Sequence, residues 1–510
     1  MKRTKTPSFI LELPLVVTPY VERIVASRFE TARRFYNAVL GEGLKRQRLM
    51  RESCKWRDAL FITDRKERTL ALRSLCLEYG FTGSSLSSFG TECKNAAGWK
   101  ELLGAHETQK VSERVYAALE QYGYGKRGKP RFKGKKRPLH SIEGKSNVTG
   151  IRWRSDTHTI EWGGLCISAM VAPGNRDIWQ KEALDRGTKY CRIVWRNQKS
   201  VRRWYVQLIQ AGSSPRKERN RATQNVVVGL DVGPSTVAVV APDIAALVPF
   251  CPTVEQPWKE MRRLQRRLDR SRRATNPDCF NPDGTWKKGK RQQVFSRHYR
   301  ATREELSEVE RRLASERKRS HGELANTIIS HGNIIQTERL PYKAFQKMYG
   351  RSVKRRAPAM FINLLKRKAE SAGGEFRVLN TQKLKMSQYD HPTETYTKKS
   401  LSCRRHVLGD GSGIVQRDIY SAFLARCVVS NRHHPTTIAA MWSDQEPVLR
   451  RTGWLFNQPA SGSASAEPTA MPSEPVVRRK RLAIVHNRDA VAAMREPGRT
   501  DGFAFRTPCL

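Results

Sequence analysis

The sequence predicts a bilobed protein, α/β in its C-terminal half, with β-barrel and helical parts in its N-terminal half. Three observations predict it. From residue 226 onward, short β-branched runs alternate with amphipathic stretches, the pattern of an α/β layer with a mainly parallel or mixed sheet. Between about 150 and 211, paired runs rich in Trp, Ile, Val and Tyr read as hairpins. Between about 20 and 125, apolar residues fall instead at helical spacing. At 510 residues the chain exceeds one ordinary core, and with 38% hydrophobic residues it can bury several.

The elements follow in order. Residues 8–17 (SFILELPLVV) read as a strand, and Glu12 and Pro14 interrupt it too soon for a signal peptide. A helix starts near Tyr20, with Val21, Ile24, Val25, Ala32, Phe35, Val39 and Leu40 on its apolar face. Helical, charged sequence continues to about Tyr122. A glycine-containing basic linker follows, KRGKPRFKGKKRP, with eight Lys or Arg between Lys126 and Arg137. GIRWRSDTHTIEWGG and YCRIVWRNQKSVRRWYVQLIQA then read as two hairpins. Their aromatic residues, Trp153, Trp162, Trp195, Trp204 and Tyr205, suit a core, with one of them available for stacking on a base. A polar connector closes this half near Asn225.

The second half opens with a strand pair around Asp231. A helix from Trp258 to about Arg273 sets Trp258, Met261, Leu264 and Leu268 on one face and Arg262, Arg263, Arg266, Arg267 and Arg270 on the rest. A longer helix carries Leu306, Val309, Leu313, Leu324 and Ile328 and leads into a strand bearing Glu338. Another helix, 357–373, stops at Gly373–Gly374, and FRVLN returns as a strand. From about Gln458 the composition shifts to Pro, Ala, Ser and Gly, which cannot bury a core.

Lys and Arg total 95 against 48 acidic residues, a net charge of +47, and such excess marks a polyanion partner, nucleic acid first. A membrane role fits less well, because no apolar run approaches the roughly 18 residues of a span. Ten cysteines stand singly from Cys54 to Cys509, with no CxxC pair, which suits a reducing cytoplasm and not a disulfide framework or zinc ribbon.

Against that basic background three carboxylates stand out: Asp231 in VVVGLDVGPSTVAVV, Glu338 in GNIIQTERLPYKAF and Asp418 in GIVQRDIYSAFLAR. Each has an ordinary explanation: a turn hydrogen bond, a pair with Arg339, a helix cap. Together, in apolar settings on separate elements, they suit hard oxygen ligation of Mg²⁺ or Mn²⁺ and two-metal phosphodiester cleavage. Gly229 and Gly233 flank Asp231 and predict close backbone approach by a ligand or metal.

The order GLDVGPSTVAVV, MRRLQRRLDRSRR, HGNIIQTERL, then KKSLSCRRHV…VQRDIYSAFLAR resembles the RuvC-like half of TnpB transposon nucleases and compact type V CRISPR effectors. The opening strand and helix, GKPRFKGKK and WYVQL resemble their wedge and recognition region. The resemblance spans roughly residues 8–430. It implies an RNase H-like (RuvC) nuclease lobe at 226–435. It also implies a wedge β-barrel at 1–225 with a helical recognition bundle inserted at about 20–125, and a target-binding insert at about 381–415. A basic, largely disordered tail is expected at 436–510. The implied activity is RNA-guided DNA cleavage in a prokaryotic cytoplasm, with a guide RNA and target DNA as partners. Asp231, Glu338 and Asp418 would be its catalytic metal ligands. Lys129, Arg131, Lys133, Lys135 and Lys136 of the linker, with the five arginines at 262–270, are the expected nucleic-acid contacts. A nuclease-weak or nuclease-dead guided regulator, or a guide-independent transposase or junction resolvase, are the alternatives.

The chain departs from the family at two places. Where two CxxC pairs normally build a zinc ribbon, it reads SQYDHPTET and RRHVLGDGSG, leaving Cys403, His391 and His406 at spacing unsuited to tetrahedral zinc. No zinc is therefore expected. Beside the last acid the usual DRDxNAA becomes QRDIYSA, placing Gln416 and Tyr420 near the expected site.

Overall fold

The structure, a computed structural model, describes residues 6–457 apart from 135–136, 174–176, 199–200, 216–220, 253–256, 290–291 and 401–402. Lys135, Lys136 and the expected tail beyond 457 therefore lie outside the described residues. The chain divides into two units, Met1–Lys217 and Glu218–Leu510. Among the described residues no helix is long and apolar enough to cross a membrane.

In the first unit, β1 (Ser8–Pro14) leads into α1 (Pro19–Glu52). The Thr18 hydroxyl accepts the Val21 N–H at 3.3 Å, and Pro19 stands in the first turn, where its missing N–H costs no bond. Four more helices follow: α2 (Cys54–Phe61), α3 (Arg65–Glu78), α4 (Gly83–Ala96) and α5 (Ala105–Gly123). Phe35 and Val39 of α1, Leu86 of α4, and Val115 and Leu119 of α5 are fully buried in a common core.

After the basic linker come β2 (Ser141–Glu143), β3 (Arg152–Arg154), β4 (Thr159–Trp162), β5 (Leu165–Ser168), α6 (Ile178–Leu184), β6 (Thr188–Gln198) and β7 (Val201–Ala211). Antiparallel strands in the order β1-β7-β6-β2 make one sheet, and β3-β4-β5 make another. The end of β1 links them. The Val16 N–H donates to Ser168 O at 2.9 Å, and the Met170 N–H donates to Pro14 O at 2.8 Å.

This corrects the β-barrel expectation: the sheets join at one corner, but among the described residues neither closes on itself. At the other corner a side chain stands in for the missing strand. Asn147 accepts the Trp153 N–H at 2.7 Å and donates to its carbonyl at 3.2 Å, satisfying the edge of β3. The aromatic residues are core. Trp153, Trp162, Trp195 and Trp204 are all buried, and Phe29 of α1 meets Trp204 edge-on with ring centres 5.2 Å apart. Tyr205, half-buried, lies under the Arg196 guanidinium at 4.9 Å.

The second unit is built on β8 (Val227–Val232), β9 (Thr236–Ala241), β10 (Ile244–Pro249), β11 (Ile334–Glu338) and β12 (Glu375–Leu379), in the order β10-β9-β8-β11-β12. The hairpin strands β9 and β10 run antiparallel, while β11 and β12 run parallel to β8. Between β10 and β11 lie α7 (Trp258–Thr275) and α8 (Arg297–His331), and between β11 and β12 lie α9 (Tyr342–Arg356) and α10 (Pro358–Ser371). After β12 come α11 (Thr381–Leu384) and two small hairpins. The first pairs β13 (Tyr389–Asp390) with β14 (Thr395–Tyr396), and the second pairs β15 (Arg405–Val407) with β16 (Ile414–Gln416). Last come α12 (Arg417–Cys427), α13 (Pro435–Arg451) and β17 (Leu455–Phe456).

Strand alternation assigns the faces. Val228, Leu230, Val232 and Ile335 share a core with Leu324 and Ile328 of α8 and Phe361 and Leu365 of α10. On the opposite face Ala238, Val240, Ala245 and Leu247 share a core with Ile419 and Phe423 of α12 and Ile438, Trp442 and Leu449 of α13. The expected tail from residue 436 thus begins too early. Ile438, Trp442 and Leu449 recur at helical spacing, and burying them on the sheet orders residues 436–457.

Candidate functional site

Asp231, Glu338 and Asp418 come together on one face of the second sheet. Asp231 lies near the C-terminal end of β8, two residues past Gly229, so both belong to the face that α12 covers. The parallel register pairs Thr337 with Leu230, and one step further sets Glu338 beside Asp231. Ile335 faces α8 and α10, so Gln336 and Glu338 face the other way, toward α12. Crevices outside the carboxyl ends of parallel strands are where open α/β sheets bind ligands.

Asp418 reaches this point because α12 lies unusually close to β8. A Cβ on Gly229 would stand 1.9 Å from Ala422 O and 2.6 Å from Arg426 N. Only a residue without a side chain admits that approach. Asp418, Ala422 and Arg426 are spaced four apart and form one stripe down α12. The turn carrying Ala422 and Arg426 presses on Gly229, and the stripe then brings Asp418 over Asp231. The expectation that Gly229 makes room for a ligand is corrected: the room is filled by the helix.

Each acid meets a different environment. Asp231 keeps part of its surface exposed, but burial of its carboxyl raises its pKa well above the ordinary value, helped next by Asp418 and then by Glu338. Glu338 is pushed up to about 7 by burial, against a hydrogen bond from the Met386 backbone. Asp418 lies in the first turn of α12 with arginines beside it, at 3.4 Å from Arg417 and 3.9 Å from Arg404. Among the described residues no three Asp, Glu, His or Cys side chains are gathered tightly enough to ligate one ion as they stand. The field and the contact distances thus differ. Asp231 feels both other carboxylates, yet the three are drawn together loosely, with Asp418 turned to its arginines. The donor chemistry still fits a hard divalent cation, since the site offers three carboxylates, with burial opposing the charge of Asp231 and Glu338 and the neighbouring acids opposing that of Asp231 further.

The residues flanking Asp418 carry structural work that the sequence did not disclose. The Gln416 side chain caps α12, accepting the Ile419 N–H at 2.7 Å, and its amide approaches Asp418 at 3.4 Å. Arg417 donates to Cys403 O at 2.8 Å, tying the second hairpin to the start of α12. Tyr420 faces away from the acids. Its hydroxyl accepts the His391 N–H at 2.9 Å and shares a hydrogen bond with His391 Nδ1 at 2.7 Å.

In the insert, Asp390 is the hub. It accepts the Thr393 hydroxyl at 2.6 Å, His406 Nε2 at 2.8 Å and the Gly409 N–H at 3.2 Å. Burial would raise its pKa, but the bonds from Thr393 and His406 outweigh that and lower it. His391 is driven down to about 4 by burial. Cys403 is exposed, its thiol meeting Arg405 O at 3.1 Å.

The expected nucleic-acid contacts divide. Lys129 and Arg131 are exposed. Lys133 is half-buried and its backbone is pinned to α1: its N–H donates to Asn37 Oδ1 at 2.7 Å, and its carbonyl accepts from Asn37 and Arg33 at 2.8 and 2.6 Å. On α7, Met261 and Leu264 are buried against Val309 of α8, while Arg262, Arg263, Arg266, Arg267 and Arg270 are exposed. Arg267 donates to His298 Nε2 at 2.9 Å. Replacing Arg262, Arg263 and Arg266 with Gln is expected to make the slope of log affinity against log salt shallower by roughly two units. Gln preserves helix propensity, so the melting temperature should hold. An unchanged slope with intact folding would make this helix merely a solvated face.

No known family matches the chain, and no curated protein matches it in sequence. Among solved structures, a cryo-EM structure of a Cas12f1–sgRNA–target DNA complex matches at 14% identity with a TM-score of 0.40, covering 82% of this chain and 98% of that one. A cryo-EM structure of a CRISPR-Cas12f ternary complex matches at 13% identity with a TM-score of 0.21, covering 76% and 91%. At these TM-scores the likeness decides neither fold nor function.

Proposed function

We propose that the chain is an RNA-guided DNA endonuclease, with an RNase H-like nuclease lobe in which Asp231, Glu338 and Asp418 hold Mg²⁺ or Mn²⁺. One observation carries the reading: three carboxylates from separate elements meet on one sheet face of a chain with net charge +47. Such ions, when bound, supply a nucleophilic water and neutralise charge on the phosphoryl oxygens. The protein's part is to present the ligands. Burial pushes Glu338 up to about 7 and raises Asp231, so the bare site disfavours their charged forms and a bound cation would restore them. Arg404, half-exposed beside Asp418, is placed to turn toward a phosphate, while Arg417 stays tied to Cys403 O. Base pairing with a guide RNA supplies sequence specificity, and the basic surface supplies affinity.

The pairing of Asp418 with two arginines favours a second reading, a nuclease-weak or nuclease-dead guided regulator. One experiment separates the two. RNA that co-purifies with the protein is sequenced, its variable end is reprogrammed to match a supercoiled plasmid, and cleavage is followed with Mg²⁺, Mn²⁺ or EDTA. Guided cutting that stops in EDTA supports the endonuclease. Guided binding without cutting supports the regulator. Cutting that ignores the guide overturns both in favour of a resolvase-like enzyme.

A further inference from the structure

In the first unit the basic linker does not trail free over the surface. Its attachment at Lys133, through Asn37 and Arg33, lays the preceding residues along α1. The result is a cleft of about 600 Å³ between α1, the end of α5 and the linker, within the usual size of small-ligand sites. Its walls are of two kinds. Lys45, Arg48, Arg51 and Lys129 contribute four cations against the single carboxylate of Glu52, while Phe132 and Tyr122 contribute aromatic rings.

Phe132 is the unexpected member. Its side chain is 56% exposed, yet a ring edge lies 3.8 Å from where a Cβ on Gly41 would be, so the ring stands against α1 without being buried. Core packing does not account for an exposed phenylalanine in a run of eight basic residues. The cations around it are of unequal freedom. Arg51 is committed, donating to Gly123 O at 3.1 Å and lying over Tyr122 at 5.7 Å. Arg48 is only 4.0 Å from Glu52 in an exposed pair, which holds it weakly. Lys45 and Lys129 are exposed. An aromatic face beside exposed cations suits a base with a phosphate on either side.

We propose that this cleft binds an unpaired segment of a polynucleotide, one base stacked on Phe132 and the neighbouring phosphates held by Lys45, Arg48 and Lys129. The proposal deepens the nucleic-acid reading above and rests on it for the occupant, which we take to be a single-stranded part of the guide RNA. Stacking tolerates any base, so the cleft would hold the strand without reading its sequence. The sequence pointed to the basic residues of the linker and to the arginines at 262–270. Lys45 and Arg48 were missed because they lie on a helix remote in the chain, and Phe132 because one aromatic residue among basic ones carries no periodic signal.

The test uses the full chain and fluorescently labelled oligouridylate, oligothymidylate and a blunt DNA duplex, with affinity measured across a salt series. Phe132→Ala is expected to weaken oligouridylate binding by about fivefold or more, the loss of one base–aromatic stack, with the salt slope unchanged. Lys45→Gln with Arg48→Gln should instead make the slope shallower by about 1.4, as two single-strand phosphate contacts are lost. Both variants alter exposed positions, so the melting temperature serves as the folding control. A loss clearly larger for oligothymidylate than for oligouridylate would overturn the guide RNA as occupant in favour of a displaced DNA strand. A loss confined to the duplex, or none from Phe132→Ala, overturns the proposal. Guided plasmid cleavage by Phe132→Ala at saturating guide keeps the two readings apart. If cleavage persists while oligouridylate binding is unchanged, the cleft assignment fails and the nuclease assignment stands.

Discussion

Asp231→Ala, Glu338→Ala and Asp418→Ala are each expected to cut target cleavage by about 10³-fold or more, because losing one ligand from a metal site removes several kcal/mol of transition-state stabilisation. Guided DNA binding should survive, since affinity arises on the basic surface and not at the acids. A second readout separates a metal site from a structural role. Glu338 has its pKa raised in the folded chain, from 4.5 to about 7. A raised carboxyl favours its protonated form, so the penalty for ionising it is absent below about pH 4.5 and complete above about pH 7. Glu338→Gln should therefore stabilise the protein in EDTA at pH 8, by up to about 3 kcal/mol at 1.36 kcal/mol per pKa unit. Asp231→Asn should act in the same direction. Mg²⁺ should raise the melting temperature of the wild type and do less for either variant. Wild-type cleavage by any alanine variant, or a fall in melting temperature from Glu338→Gln with no response to Mg²⁺ in the wild type, would remove these residues from the site.

How far the sequence discloses such a site depends on which physical signal carries each part. Alternation and periodicity were legible. The runs around Asp231 and Glu338 became β8 and β11, and the stripe Met261–Leu264 became the buried face of α7. These follow from burial, which repeats along the chain at a fixed period. The approach of α12 to β8 was not legible as such. Gly229 was visible, but a glycine beside an acid admits a ligand, a turn or a helix equally, and only the packing decides. The ends of sheets were harder still. Asn147 closing the edge of β3 is a single side chain replacing a strand, so the expected barrel turned into two open sheets joined at a corner. In the insert, spacing argued against a tetrahedral zinc site but gave no substitute. The Asp390 hub depends on Thr393, His406 and Gly409, which meet only after both hairpins form. Residues 436–457 fell to a different error. Ile438, Trp442 and Leu449 are too few apolar residues, beside Arg450 and Arg451, to mark a buried helix without the sheet they pack on.

The second large effect is expected from Gly229→Ala, a change of one methyl group outside the three acids. Its Cβ would sit 1.9 Å from Ala422 O and 2.6 Å from Arg426 N, both backbone atoms of α12 that no rotamer change can withdraw. The helix must lift from the sheet, opening the core that Ile419 and Phe423 share with Ala238 and Val240. Overpacking of this kind costs about 3 kcal/mol or more. In a unit of this size that lowers the melting temperature by roughly 6–12 °C. Asp418 rides on the displaced helix, and a shift on the order of 1 Å in a catalytic group costs about 10²-fold in rate. Stability and cleavage should therefore fall together, unlike in the acid variants, where cleavage falls alone. Gly233→Ala is the milder comparison, since its Cβ would meet Thr236 O at 3.2 Å, a tight contact that a shift of a few tenths of an ångström relieves, and its backbone is not left-handed. Ala422→Gly should not rescue Gly229→Ala, because the clash is with the carbonyl and not the methyl. If Gly229 instead serves the approach of a ligand, as its place beside Asp231 first implies, Gly229→Ala should weaken Mg²⁺ or DNA binding at an unchanged melting temperature. That outcome would detach α12 from β8 as the device that delivers Asp418 to the other two acids.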